Sequence, residues 1–421
     1  MKTPRLSSVF TTTAAAFAAT ALSTLSLHAA DATTDAPYAN RLSGDWSGAR
    51  TRLADRGVEV FGYYNAIIAS NVSGGIRKET NYAQDIYAGV TFDLGKIAGW
   101  DNTTFTLSGI DRGGSDITPS VGSQYSVMQL VGGQTTFLYG AFLEKTFRDG
   151  DVSVKLGRMT ATDDFVGSPL YGYSLNNAVD GQIRAVLFDG VMTSYPFPVW
   201  GGRVKTKTGA NSFFQLGVFQ ISPDMFDPTK HGTDFSIASD DGVSIFTQFD
   251  WQPEIAGRPA RFYVGMNNAF MDLAEFNSTD TTHHFVRFYG HADYQVFREA
   301  GTTDEGLTLF ATLAYTAQDK VGIIPLQSSI GANYKGLLPN RPNDHTVAFV
   351  TYGKFSDAYS DQQVAAGGSS VSHELVIELG HRIQVSKFAY VQPDVQFIQR
   401  PGGTGNIDNA VVLGVQFGAS F

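Results

Sequence analysis

The hydrophobic pattern of the chain changes period once. Before residue 58 the one clear local signal is Asp45 to Gly57, Asp-Trp-Ser-Gly-Ala-Arg-Thr-Arg-Leu-Ala-Asp-Arg-Gly. With Asp45 as N-cap and Gly57 as stop, it reads as a short helix of about three turns. From Val58 onward the period is two. Segments of about 8–13 residues, alternating or rich in aromatics, are separated by Gly, Asp, Asn and Pro turns. They fall near 58–69, 82–93, 103–112, 136–147, 152–159, 184–195, 200–207, 212–222, 243–252, 260–271, 284–297, 306–318, 327–336, 345–357, 372–385, 387–399 and 409–421.

That is about 17 candidates, whereas single-chain bacterial barrels have an even number, so 16 or 18 is expected and 160–207 is where the miscount should lie. The alternation is clearest at the C-terminus. Val411, Leu413, Val415, Phe417, Ala419 and Phe421 share one face; Gly414, Gln416, Gly418 and Ser420 share the other, with Val412 as the exception. Leu307, Leu309, Ala311, Leu313 and Tyr315 repeat the pattern, as do Phe262, Val264 and Met266. One face apolar and the other Thr, Ser, Gly, Asn or charged is the signature of lipid outside and water inside. A half-buried soluble strand looks similar singly; the repetition favours a barrel, which also leaves no free edges. The fold class expected is all-β: a transmembrane antiparallel β-barrel of about 16 strands with a short N-terminal helix.

Composition narrows this further. The 421 residues carry a net charge of −10, no cysteine, 45 glycines, 31 phenylalanines and 18 tyrosines. The acidity argues against nucleic acid, which needs clustered Lys and Arg. The lack of cysteine removes disulfides, thiolate zinc sites and cysteine nucleophiles. No stretch after residue 32 offers about 20 consecutive apolar residues, so a transmembrane helix is not expected, but barrel strands need only about 9–11. At the N-terminus Lys2 and Arg5 precede an uncharged Ala/Leu/Phe/Thr-rich run from Val9 to Leu27, and Ala30-Asp31-Ala32 fits a cleavage pattern. The expected organisation is a signal peptide over 1–30, a periplasmic linker and short helix over 31–57, and the barrel over 58–421, exported to a Gram-negative outer membrane.

Four blocks and the last residue stand out together. The first is Leu42-Ser43-Gly44-Asp45-Trp46-Ser47-Gly48-Ala49-Arg50 through Leu53 and Gly57. The second is Leu156-Gly157-Arg158 followed by Asp163-Asp164-Phe165; the third is Trp200-Gly201-Gly202-Arg203. The fourth is Gln392-Pro393-Asp394-Val395-Gln396-Phe397-Ile398 with Pro401-Gly402-Gly403 behind it. The terminal Phe421 resembles the signal by which outer-membrane barrels engage their assembly machinery. In this order the blocks resemble the OprB-type carbohydrate-selective porins, and the resemblance implies 16 strands, inward-folded loops that narrow the pore, and passive uptake of glucose-like monosaccharides. Sugars would be the permeating solutes and outer-membrane lipid the surroundings, with association into homo-oligomers left open. No cofactor or metal is implied.

A sugar channel needs weak, repeated contacts from inward-facing polar and aromatic side chains. Parity supplies candidates. Phe105 and Leu107 outward turn Arg112 inward; Phe137, Tyr139, Ala141 and Leu143 outward turn Glu144 inward; Lys155 alternates with Val154 and Leu156. Arg158 falls on the lipid parity, where a bare Arg at mid-bilayer costs about 2–4 kcal/mol, so a bulge is expected at Gly157. Arg261 and Arg287 complete the set proposed for solute contact, with Glu374, Glu378 and Arg382 also inward. The competing role for each is a salt bridge bracing the wall. Trp200 reads as an interface anchor and Trp46 as packing.

Rival chemistries find less support. Glu374 and Glu378 share a strand face roughly 13 Å apart, wider than the 5–9.5 Å of a glycosidase pair. No Gly-x-Ser-x-Gly occurs. His283-His284 lacks metal-helix spacing, and Gly402-Gly403-Thr404-Gly405 is followed by no Lys-Ser/Thr, so it is a turn. A general porin remains the nearest alternative, and an outer-membrane or secreted lectin-like carbohydrate-active β-protein a more distant one. An energised transporter would need a large N-terminal plug, whereas strands begin near residue 58.

Overall fold

The computed structural model describes residues 37–130, 135–189 and 191–421. The chain divides into units 1–38 and 39–421, and all elements below belong to the second. The signal-peptide expectation for 1–30 lies outside the described residues.

The strands are β1 (Val58–Ser73), β2 (Glu79–Asp93), β3 (Thr103–Gly114), β4 (Thr136–Phe147), β5 (Val152–Met159), β6 (Val199–Gly209), β7 (Ser212–Ile221) and β8 (Gly242–Trp251). There follow the two-residue β9 (Glu254–Ile255), β10 (Arg258–Ala274), β11 (Thr281–Arg298), β12 (Gly306–Tyr315), β13 (Leu326–Lys335), β14 (His345–Lys354), β15 (His373–Ser386), β16 (Ala389–Gln399) and β17 (Ala410–Ser420). Consecutive strands pair antiparallel, β8 pairs with β10, and β17 returns to β1 through Tyr63↔Ser420 and Ile68↔Val415. Because β9 follows β8 and pairs only with the start of β10, beside the β8–β10 ladder, sixteen strands close the ring among the described residues. The even count removes one of the candidates above: 184–195 is no strand but an irregular stretch with a short 3₁₀ turn at Arg184–Val186. Its apolar residues Val186, Leu187, Val191 and Met192 are buried, so its strand-like pattern reflects packing inside the barrel rather than a place in its wall.

Sidedness is inverted relative to a soluble protein. Val264 is 65 % exposed, Ile330 61 % and Leu156 60 %, while Gln215, Gln248, Asn267, Thr312 and Gln327 are buried. Exposed aromatics mark both ends of the strands: Tyr82, Phe270 and Tyr315 at the end with long loops, Phe147, Trp251 and Phe297 at the end with short turns. An apolar band flanked by two aromatic girdles is the outer surface of a membrane barrel; a soluble surface does not carry so continuous an apolar area.

The interior is not simply water. The segment 160–198 between β5 and β6, and 115–130 between β3 and β4, fold into the barrel, where Ile117, Tyr125, Phe165, Val166, Tyr171, Leu175, Val179 and Ile183 pack against inward wall residues Phe219, Phe246, Tyr263, Phe310 and Val376. This half of the barrel has an apolar core; the open space lies on the other side, along β1–β4 and β16–β17.

Register shifts occur near the ends of several strands, as at Phe270/Leu273 and Gln295/Phe297, but the one at β4 overturns an expected parity. Ser108 pairs with Gly140 but Gly109 pairs with Leu138, which leaves Tyr139 as a one-residue bulge. Phe137 and Tyr139, placed outward by simple alternation, are therefore turned inward and buried, while Glu144 beyond the bulge keeps its inward face. A bulge shifts every side chain on one side of it by one position. The helix at the short-turn end is also shorter than expected, Ala49–Asp55, with Gly48 rather than Asp45 as N-cap. Asp45 instead accepts hydrogen bonds from the Thr51 N–H and hydroxyl, both at 2.8 Å. Further short helices occur at Leu94–Ala98, Thr118–Val121 and Asp357–Ala365.

That helix seals the closure seam. Arg50, 2 % exposed, donates to Val60 O on β1 and to the main-chain oxygen of Phe421 at 2.9 Å. The Leu42 N–H reaches Ser420 O, and the Phe421 N–H reaches Gly62 O, each at 2.8 Å. Hydrogen bonds from a charged group contribute about 1.5–3 kcal/mol each. Arg50→Ala is expected to lower the temperature at which the barrel loses its compact, heat-modifiable band in detergent gels. An unchanged transition would show that the seam does not depend on Arg50.

Candidate functional site

The inward polar residues of the wall meet side chains and backbone of the inward segment, taken in order along it. At β4–β6, Lys155 Nζ lies 2.9 Å from Asp164, Arg203 Nε 3.1 Å from the same carboxylate, and Arg203 Nη2 2.7 Å from Glu144. Next, Gln215 donates to Asp164 O at 3.0 Å, Gln248 accepts from Val166 N at 3.2 Å and Tyr263 donates to Val166 O at 2.9 Å. On β10, Arg261 pairs with Asp250 and reaches Gly167 O at 3.3 Å.

Across the barrel, Arg382 donates to Gly172 O at 2.6 Å and Gln392 to Tyr173 O at 2.6 Å. Glu378 accepts from the Ser174 hydroxyl and the Leu175 and Asn176 amides. The segment then returns. Gln327 donates to Ala178 O and accepts from Ala185 N, both at 2.7 Å. Arg287, fully buried, donates to Ala185 O and to Ile324 O at 3.0 Å and pairs with Asp189. Glu374 does the same for the other inward loop, accepting from Ser123, Gln124, Tyr125 and Gly402.

Backbone groups taken from water must find partners. These strands supply them, so a segment with almost no regular secondary structure holds one path inside the barrel.

What remains open is a cavity of about 680 Å³, within the range of about 300–1,000 Å³ typical of small-molecule sites. One side is wall: Tyr63 and Asn65 on β1, Asp85 on β2, Arg112 on β3, Tyr139 on β4, Tyr390 on β16 and Gln416 on β17. The other is the inward segment, with Asp163, Asp180, Arg184, Phe188, Tyr195 and Phe197. Tyr195 joins the two, donating to Asp85 Oδ2 at 2.6 Å while its ring lies 5.4 Å beneath the Arg112 guanidinium. Arg112 also donates to Gln129 O at 3.2 Å. Tyr139 stands edge-on to Tyr195 and donates to Asp163. Burial holds the Asp163 carboxyl above the usual carboxylate range, the Tyr139 hydroxyl partly offsetting it. Aromatic faces beside charged and amide groups suit a solute with an apolar ring face and hydroxyl edges.

Of the six residues expected from sequence, Arg112 borders this cavity. Glu144 and Lys155 are brought together through Asp164 and Arg203, and Arg261 and Arg287 are turned to the inward segment. Arg158 is a correction. No bulge occurs at Gly157: pairing runs unbroken through Gly157↔Gly201 and Arg158↔Trp200. Gly157 has φ +145°, and a Cβ there would lie 2.3 Å from Ala141 O. Arg158 keeps the outward parity but is covered. It donates to Pro198 O at 2.7 Å and Gly232 O at 3.3 Å, beneath the rings of Trp200 and Phe235. The 222–241 loop closes over it, with the Leu138 N–H donating to His231 O at 2.9 Å along the edge of β4 that β5 leaves unpaired. Asp85, Asp180, Arg184 and Tyr195 were missed. Parity could have found Asp85, three residues after the start of the 82–93 strand; nothing local marks the others, which lie on the inward segment.

The sequence matches the carbohydrate-selective porin family, OprB, over residues 77–421. The chain belongs to that family. It is 26 % identical to Porin B of Pseudomonas aeruginosa, covering 94 % of each chain, and 25 % identical to the putative porin QuiX of Acinetobacter baylyi, covering 90 % of this chain and 93 % of that one. The high-pH structure of Pseudomonas putida OprB superposes with a TM-score of 0.87 at 24 % identity, over 92 % of this chain and all of that one. The low-pH structure of the same protein gives 0.61 at 22 % identity, with the same coverage. The chain is thus an outer-membrane carbohydrate porin, and its relatives are channels rather than enzymes.

If the wall residues hold the constriction in place, Glu378→Gln should loosen it, because an amide offers one acceptor oxygen where the carboxylate offers two. Single-channel recordings are expected to show larger and noisier open-channel current than wild type. A quiet current of unchanged size would show that Glu378 does not anchor the segment.

Proposed function

We propose that the chain passes glucose-like monosaccharides by passive diffusion through the cavity bounded by Tyr63, Asp85, Arg112, Tyr139, Tyr195 and Tyr390. The observation that carries this reading is the make-up of that cavity: tyrosine rings and ring-stacked Arg112 along a space of about 680 Å³ inside the barrel. Sugar hydroxyls exchange water for Asp85, Arg112, Asn65 and Gln416, and apolar ring faces pass over tyrosines. Conduction requires contacts weak enough for a solute to leave, which sharing them among several side chains favours.

Of the remaining candidates, Glu144, Lys155, Arg261 and Arg287 serve permeation at one remove, by holding the segment that shapes the passage. Arg158 braces the outer wall and the 222–241 loop. The apolar belt and aromatic girdles support lipid as the outer partner, with export by a leader over 1–30. Phe421, on the outward face just beyond β17, fits recognition by the barrel assembly machinery.

Influx into liposomes containing the refolded chain tests this reading, comparing glucose with an amino acid of similar size and a disaccharide. Glucose is expected to enter fastest, and Arg112→Ala to slow it or remove the preference. Equal influx of all three small solutes would reduce the channel to a general porin.

A further inference from the structure

Five charged side chains border the cavity: Asp85, Arg112, Asp163, Asp180 and Arg184. Three have protein partners, Asp85 in Tyr195, Asp163 in Tyr139 and Arg112 in Gln129. Asp180 and Arg184 differ. Among the described residues neither side chain makes a hydrogen bond or ion pair, and the Arg184 Nε is buried without a partner. They lie four positions apart on one bend of the inward segment. The bend itself is fixed: Gln327 grips Ala178 O and Ala185 N on either side of it, Glu378 and Gln396 hold Asn176 before it, and the Arg184 guanidinium rests 5.0 Å from the Phe188 ring. A rigid scaffold thus presents one acid and one base, with hydrogen-bonding capacity unfilled by protein, to whatever crosses the lumen.

We propose that Asp180 and Arg184 are the specificity-determining pair for solute charge, a balanced filter that lets uncharged polyols pass and resists solutes of either sign. This rests on the channel reading above. Ions crossing a narrow, partly desolvated passage feel a nearby unit charge far more than in bulk water, whereas a neutral sugar does not. Removing one member of the pair therefore tilts ion permeability towards the charge opposite to the member left, and disturbs sugar passage less.

The acid arm carries its own signature. Burial and the neighbouring Glu378 and Asp85 push the Asp180 carboxyl well above the usual carboxylate range, against the partial offset of Arg382 and Arg112. Its charge therefore appears at higher pH than that of an ordinary Asp. Burial lowers the Arg184 guanidinium to about 10, still charged at neutral pH. Glu378 and Arg382 on β15, Asp85 on β2 and Arg112 on β3 are the charged groups facing Asp180.

The test is the reversal potential of the reconstituted channel in a KCl gradient between about pH 5 and 9, for wild type, Asp180→Asn and Arg184→Gln, with glucose influx measured on the same preparations. Wild type is expected to gain preference for K⁺ as pH rises. D180N is expected to favour Cl⁻ several-fold more than wild type at high pH and to lose the pH step; R184Q is expected to shift several-fold towards K⁺. Glucose influx should persist in both. If both variants admit glucose but keep the wild-type ion preference and pH profile, the charge filter is wrong and the sugar channel stands. If wild type passes neither ions nor glucose, the channel reading fails and this inference fails with it.

Discussion

The structure depends on one kind of contact: a polar side chain on the inner wall of the barrel bonded to the backbone of the segment 160–198. Apart from short 3₁₀ turns the described residues of that segment have no regular secondary structure to satisfy their own amides and carbonyls. Inside a barrel each one left unmet costs about 1–3 kcal/mol. Glu378, Gln327, Gln392, Arg382 and Arg287 meet them from four strands; the contacts are buried or half-buried except that of Arg382 with Gly172 O, which is exposed. These five wall residues are thus neither free for solute nor merely braced against one another; their main partner is the inward segment.

This arrangement explains how one lumen has two characters. Where the segment lies against β6–β15 the interior is a packed apolar core around Phe165, Tyr171 and Val179. Where it stands away from β1–β4 the interior is a polar passage faced with tyrosines. Along β4, where β5 ends early, the 222–241 loop supplies a pairing in its place, the Leu138 N–H donating to His231 O. Arg158 sits at that junction, so an outward arginine in a membrane barrel is accommodated by a cover of two aromatic rings and two carbonyls rather than by a change of register.

Most of the wall was legible in the sequence, because strand parity is a strict period and each wall residue shows it locally. Arg112, Glu144, Lys155, Arg261 and Arg287 were all placed inward from their neighbours alone. Parity failed where the backbone broke it: the bulge at Tyr139 turned two aromatics inward, and its one local sign is Gly140 beside it. The passage itself was mostly illegible. Asp180, Arg184 and Tyr195 lie on an irregular segment whose course is set by contacts from β2 to β16, over sequence separations of 100 residues or more. The stretch 184–195 read as a strand because burial in the barrel core gives it the same apolar spacing as a lipid-facing wall.

The central claim is that the segment 160–198, fixed by the wall, sets both the size of the passage and its preference for sugars. Replacing most of that segment with a short glycine-serine connection between β5 and β6, and recording single-channel conductance and solute influx, tests it most directly. The expected result is a barrel still heat-modifiable in detergent, with conductance raised several-fold and glucose, amino acid and disaccharide entering alike. A folded barrel with wild-type conductance and an intact preference for glucose would contradict it.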